Sequence, residues 1–129
     1  MITKKELFIV FLIGALGYAL VEIIWRGFTH WSMVLTGGIC FMIFYKIVLL
    51  NNFSLFQQCL LATVIITSFE FTVGGFVNLV WGMNVWDYSN QLFNLKGQIC
   101  PLFSMIWFFM GIPMSLLTKV IRNRVIVIS

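Results

Sequence analysis

Charge is what this sequence has least of. Of its 129 residues only 9% are charged and 61% are hydrophobic, whereas a water-soluble domain carries roughly a quarter charged residues. A core this small does not hide so much Phe, Leu, Ile and Val without far more polar covering, so a soluble globular fold is excluded and the solvent is lipid. Histidine is nearly absent, and the single His30 argues against a zinc site. Cysteine is scarce and odd in number. Cys40, Cys59 and Cys100 lie within or beside apolar runs without a CxxC spacing, so they read as reduced, weakly polar hydrophobes. No HExxH, GxSxG or GxxxxGK[ST] string occurs, which removes the familiar metalloprotease, serine-hydrolase and ATP-hydrolysing machinery. Strand-like alternation is missing as well, which argues against a β-barrel. The net charge of +4 is no nucleic-acid signature, because the basic residues sit at the ends of apolar runs rather than on one solvated face.

What remains is a set of long apolar runs. In hydrocarbon every backbone N–H and C=O must be satisfied within its own segment, so runs near twenty residues are expected to be helices crossing a core of about 30 Å. Four are expected, at about Leu7 to Trp25, Met33 to Leu50, Leu55 to Leu79 and Ile99 to Lys119. Between them lie a short bend from Arg26 to Ser32, a turn at Asn51-Asn52, and one longer loop from about Trp81 to Gln98. The expectation is an all-α integral membrane protein: a bundle of four transmembrane helices forming a single transmembrane domain over residues 1–129. Lys4 and Lys5 before the first run resemble the start of a signal peptide, but the run is too long and passes directly into Glu22 and Arg26. The positive-inside rule places both termini in the cytoplasm. Lys4, Lys5, Lys46, Lys119, Arg122 and Arg124 then fall inside, against Arg26 and Lys96 outside. The expected location is a bacterial inner membrane or plasma membrane.

Ionisable groups within a span cost about 2.5–3.5 kcal/mol on insertion scales, so they mark sites, pairs or shielded positions. Glu22 and Glu70 are the two singled out, both in the outward half of the bundle. Glu22 precedes Arg26 by four residues, the order and spacing of an ion pair along one helix face. Glu70 has no basic residue at helical spacing, so its partner is expected on another helix, or else it is protonated. Three polar stripes follow helical steps: Gly14, Tyr18, Glu22 and Arg26; Thr63, Thr67, Glu70, Gly74 and Asn78; and Ser104, Trp107, Gly111, Ser115 and Thr118. Small and hydroxyl residues so placed pack helices closely or line a cavity. Pro113 is expected to bend the last span. The outer connections add His30, Trp31, Trp86, Asp87 and Tyr88. The aromatic residues suit interface anchors, and Asp87 suits a local backbone cap.

These residues carry a resemblance. Gly17-Tyr18, Glu22, Arg26-Gly27, His30-Trp31-Ser32-Met33 and Gly37-Gly38, followed by Glu70, Asn78, Trp86-Asp87-Tyr88-Ser89, Gly97-Gln98-Ile99-Cys100, Ser104 and Trp107, resemble the "putative ABC-transporter type IV", or CmpB-like, membrane family. Vertebrate four-span proteins of the transmembrane-protein-229 type are similar to it. The resemblance implies a polytopic membrane protein with a permease-like label, and any ABC role implies a separate ATPase subunit. Four helices enclose little volume, so a homo-oligomer or a partner membrane subunit is expected.

Three readings follow. In the first, the chain is a transport or lipid-handling subunit with an outward-facing polar pocket. Arg26 and His30 bind an anionic or polar group, Glu70 is a proton or cation site, and Trp31 and Trp86 are apolar walls. The candidate site is Glu22, Arg26, His30, Trp31, Glu70, Asn78, Trp86, Asp87 and Tyr88, with no cofactor and no metal. In the second, the same polar residues knit the bundle and dock a partner, making the protein structural or regulatory. In the third, Glu22, His30, Glu70 and Asp87 serve a membrane enzyme acting on a lipid.

Overall fold

The computed structural model describes residues 2–27, 30–82, 86–87 and 89–128; the side chains of 25, 26 and 126–128 fall outside that description. Its architecture is four long helices: α1 (Lys4–Arg26), α2 (Trp31–Leu50), α3 (Leu55–Gly74), prolonged by a π-helical turn over Gly75–Val80, and α4 (Pro101–Ile128). All four are long and apolar enough to cross a membrane. A helix of twenty residues reaches about 30 Å, the thickness of the hydrocarbon layer. Among the described residues there is no strand, only an isolated bridge between Leu95 and Ile99.

Local chemistry sets the helix ends. Thr3 caps α1, its hydroxyl accepting from the Glu6 amide at 3.1 Å. Gly27 stops the helix in the left-handed region at φ 82°, where only glycine lacks a Cβ penalty, and its N–H returns to the Ile23 carbonyl. His30 caps α2 through its ring, and Ser54 opens α3 in a reciprocal capping box with Gln57. The expected third span to Leu79 is therefore two geometries in one rod, since the i→i+5 turn begins at Gly75. The last helix also differs from expectation. It runs through Pro113 and past Lys119 to Ile128, because Ile121 remains in the core and Arg122 finds an acidic partner.

The helices form two hairpins. α1 lies along α2 and α3 along α4, with α2 and α3 joining the pairs; among the described residues α1 and α4 make little backbone contact. Close approach explains the small residues. A Cβ on Gly37 would lie 2.6 Å from the Tyr18 Cβ, and one on Gly111 would lie 2.7 Å from the Cys59 Cα. Val10, Phe41, Phe44, Ala62, Ile66 and Trp107 are among the residues of the shared core. The three cysteines are free and buried.

Candidate functional site

Two of the expected stripes meet across the α3–α4 interface. Thr67 and Ser104 pair their hydroxyls at 3.2 Å, and one turn further along α3 Glu70 accepts from the indole Nε1–H of Trp107 at 2.7 Å. Helical side chains lean toward their own N-terminus, which carries Trp107 toward the loop end of α4 and so to Glu70. Both are buried. The sequence expectation that Glu70 draws a partner from another helix is met by a neutral donor.

Glu70 also faces a void. Between the two hairpins lies a cavity of about 320 Å³ with walls from all four helices, including Gly17, Val21, Met33, Phe41, Glu70, Trp107 and Met114. A smaller chamber of about 140 Å³ shares Tyr18, Val21, Met33, Glu70, Trp107 and Met110 with it, and adds Glu22 and Trp86. The walls are mostly apolar, with the two carboxylates set into them. Tyr18 and Trp107 stand with ring centroids 6.2 Å apart, and both line the two chambers together with Glu70.

Among the described residues of the expected site, Glu22, Glu70 and Trp86 therefore come together on one chamber. Asn78 stands behind them. Its amide donates to Gln98 Oε1 at 2.8 Å and its carbonyl oxygen accepts from the Trp86 backbone N–H at 3.4 Å, while Trp86 Nε1 donates to the Gln98 backbone carbonyl at 3.0 Å. This knot fastens the long loop to the π-helical turn. A Cβ on Gly74 would lie 2.7 Å from Cζ2 of the buried Trp86 ring, so the ring's close approach favours glycine there. Gln98 holds the knot, a role its place in a polar loop did not reveal.

The others lie elsewhere. His30 is occupied as a helix cap, its Nδ1 within 2.7 Å of the Ser32 hydroxyl, and Trp31 is half exposed beside it. Neither lines the two chambers. Asp87 is exposed and caps the Ser89 amide at 2.9 Å, as its place in the loop suggests. Tyr88 lies outside the described residues, and so does the Arg26 side chain with the expected Glu22–Arg26 pair.

One buried acid went unread in the sequence. Glu6 is 1% exposed and accepts from the Tyr45 hydroxyl and, at 2.8 Å, from Arg122 Nη1. Arg122, read from the sequence only as a charge of the cytoplasmic flank, thus has a partner within the bundle. A second polar cluster ties α1, α2 and α4 together at the terminal end, because the buried carboxylate recruits the nearest guanidinium. The Thr3-x-x-Glu6 capping pattern was the available signal for Glu6; nothing local pointed to Tyr45 or Arg122.

No curated protein and no solved structure matches the chain. A family does: the one described as "Putative ABC-transporter type IV" matches residues 7–128. The chain, a small protein of four membrane-spanning helices, belongs to that family.

Proposed function

We propose that this chain is the membrane-embedded subunit of a transport or lipid-handling system, binding its ligand in the cleft between the two helical hairpins. The observation that carries this reading is the cavity into whose apolar walls Glu22 and Glu70 are set. Carboxylates at membrane depth are costly, and in proteins that move ions or solutes they mark the path. The basic residues of the flanks favour cytoplasmic termini, which turns the Trp86 end of the cleft outward. The family label supports a permease-like role, and without a phosphate-binding loop in this chain an ABC system supplies its ATPase as a separate subunit. A bundle this small completes a pathway with a second copy or a partner membrane subunit.

The hydrogen bond between Glu70 and Trp107 favours a second reading, in which the carboxylate is a crosstie and the protein organises a larger complex. Purified protein in phospholipid vesicles separates the two. The transport reading expects binding or movement of a member of a panel of fluorescent lipids and organic ions, altered by Glu70→Gln. Wild type and variant behaving alike across the panel would favour the crosstie.

A further inference from the structure

We propose that the loop between α3 and α4 seats the side chains of Leu92 and Phe93 in the lipid interface at its own end of the bundle. The partner is a lipid surface, held by a loop tip in addition to the four helices.

The loop is built with its apolar groups outward. Leu92 and Phe93 are 82% and 84% exposed, more than any other large hydrophobic side chain among the described residues. Its polar side chains turn inward instead. The Asn94 amide donates to the Ser89 carbonyl at 3.1 Å and to the Gln91 carbonyl at 2.9 Å, and its Oδ1 accepts from the Gly97 N–H at 3.0 Å. Gln98 is buried and donates to the Lys96 carbonyl at 2.9 Å. In water this arrangement leaves apolar surface wet; against lipid it suits both kinds of group, because bonded carbonyls lose their water at little cost while the tip gains hydrocarbon. Phe93 also holds φ 57°, an uncommon backbone for a bulky residue, although its ring packs against little of the chain.

Height and size favour lipid over a partner protein. Trp86 and Gln98, which close the base of the loop, lie against Gly74. Beyond Gly74 the π-helical turn continues for the six residues Gly75–Val80, about 9 Å at the rise of an α-helix. Phe76, Leu79, Val80 and Trp81 are all more than half exposed, so the lipid-facing surface of the third span rises past the base of the loop. Leu92 stands six residues from both Trp86 and Gln98, no more than about 20 Å of extended chain, and the intervening turns shorten that reach. The tip is thus tethered near the interface, where apolar anchors sink about 5–10 Å into the headgroup and acyl boundary. Lys96, exposed on the same loop, suits headgroup phosphates. Two side chains offer roughly 400 Å² together, enough for such an anchor but half of the roughly 800 Å² that a specific protein interface buries on each partner.

The test is photolabelling of the wild-type protein in phosphatidylcholine vesicles containing a phospholipid with an aryl diazirine at the level of the glycerol, with adducts mapped by peptide mass spectrometry. Adducts are expected on Leu92 and Phe93 as well as on the Val80–Trp81 end of the third span, which serves as the internal reference. Leu92→Ser combined with Phe93→Ser is expected to lower the loop's adducts about tenfold against that reference, the ratio that burying one Phe supplies. Should the double variant fail to fold, the wild-type map decides alone. A wild-type loop without adducts beside a labelled Trp81 end overturns the proposal, whether water, a second copy of the chain or another protein meets the tip. Loop adducts undiminished in the double variant overturn it too, since the two side chains would then not be what holds the loop in lipid.

Discussion

At the scale of single residues, two buried acids do different work. Glu6 accepts from both Tyr45 and Arg122, and these bonds join three helices. Glu70 accepts from Trp107 while lining a cavity. Polar crossties between membrane helices contribute on the order of 1 kcal/mol each. Tyr45→Phe, which removes only the hydroxyl, is therefore expected to lower stability by about that amount in denaturant titrations in detergent. Loss near zero would show that the Tyr45 bond adds nothing beyond the aromatic packing. The need for Glu70 to find a partner was legible from its place in an apolar run. The partner was not, because periodicity fixes a helix face but says nothing of which distant residue meets it.

At the scale of elements, the apolar runs announced four helices, since a lipid-facing segment has to satisfy its own backbone. Their joints were less legible. The π-helical turn at Gly75 and the reach of α4 to Ile128 depend on tertiary partners, Gln98 and Glu6, that no local pattern encodes. Glycine contacts divide into two kinds that a substitution series resolves. Gly111→Val drives a side chain toward the Cys59 backbone and is expected to cost about 1–3 kcal/mol through overpacking. Gly17→Ala meets open space and, by replacing a glycine in the middle of α1, is expected to keep or raise the thermal midpoint by a few degrees, the effect of about 1 kcal/mol of helix propensity. A Gly111→Val midpoint equal to that of Gly17→Ala would refute the close α3–α4 contact.

At the scale of the whole molecule, the contacts set the start of α1 and the ends of α2 and α4 at one end, and the Trp86–Gln98 knot at the other. The flanking charges favour the first end as cytoplasmic. With the native cysteines replaced, Lys96→Cys is expected to react with an impermeant maleimide on intact cells, and Lys46→Cys only after permeabilisation. Labelling of Lys46→Cys from outside would reverse the orientation. The two clusters also suggest a division of labour along the bundle: the Glu6 end holds the hairpins together, while the Glu70 level between them stays open for a ligand.

That division is tested most directly by measuring the thermal midpoint and ligand handling side by side in Glu6→Gln and Glu70→Gln. The account predicts that Glu6→Gln lowers the midpoint and leaves ligand binding as in wild type, while Glu70→Gln keeps the midpoint and changes the binding. A Glu70→Gln protein that is destabilised yet binds and moves the same solutes as wild type would contradict it.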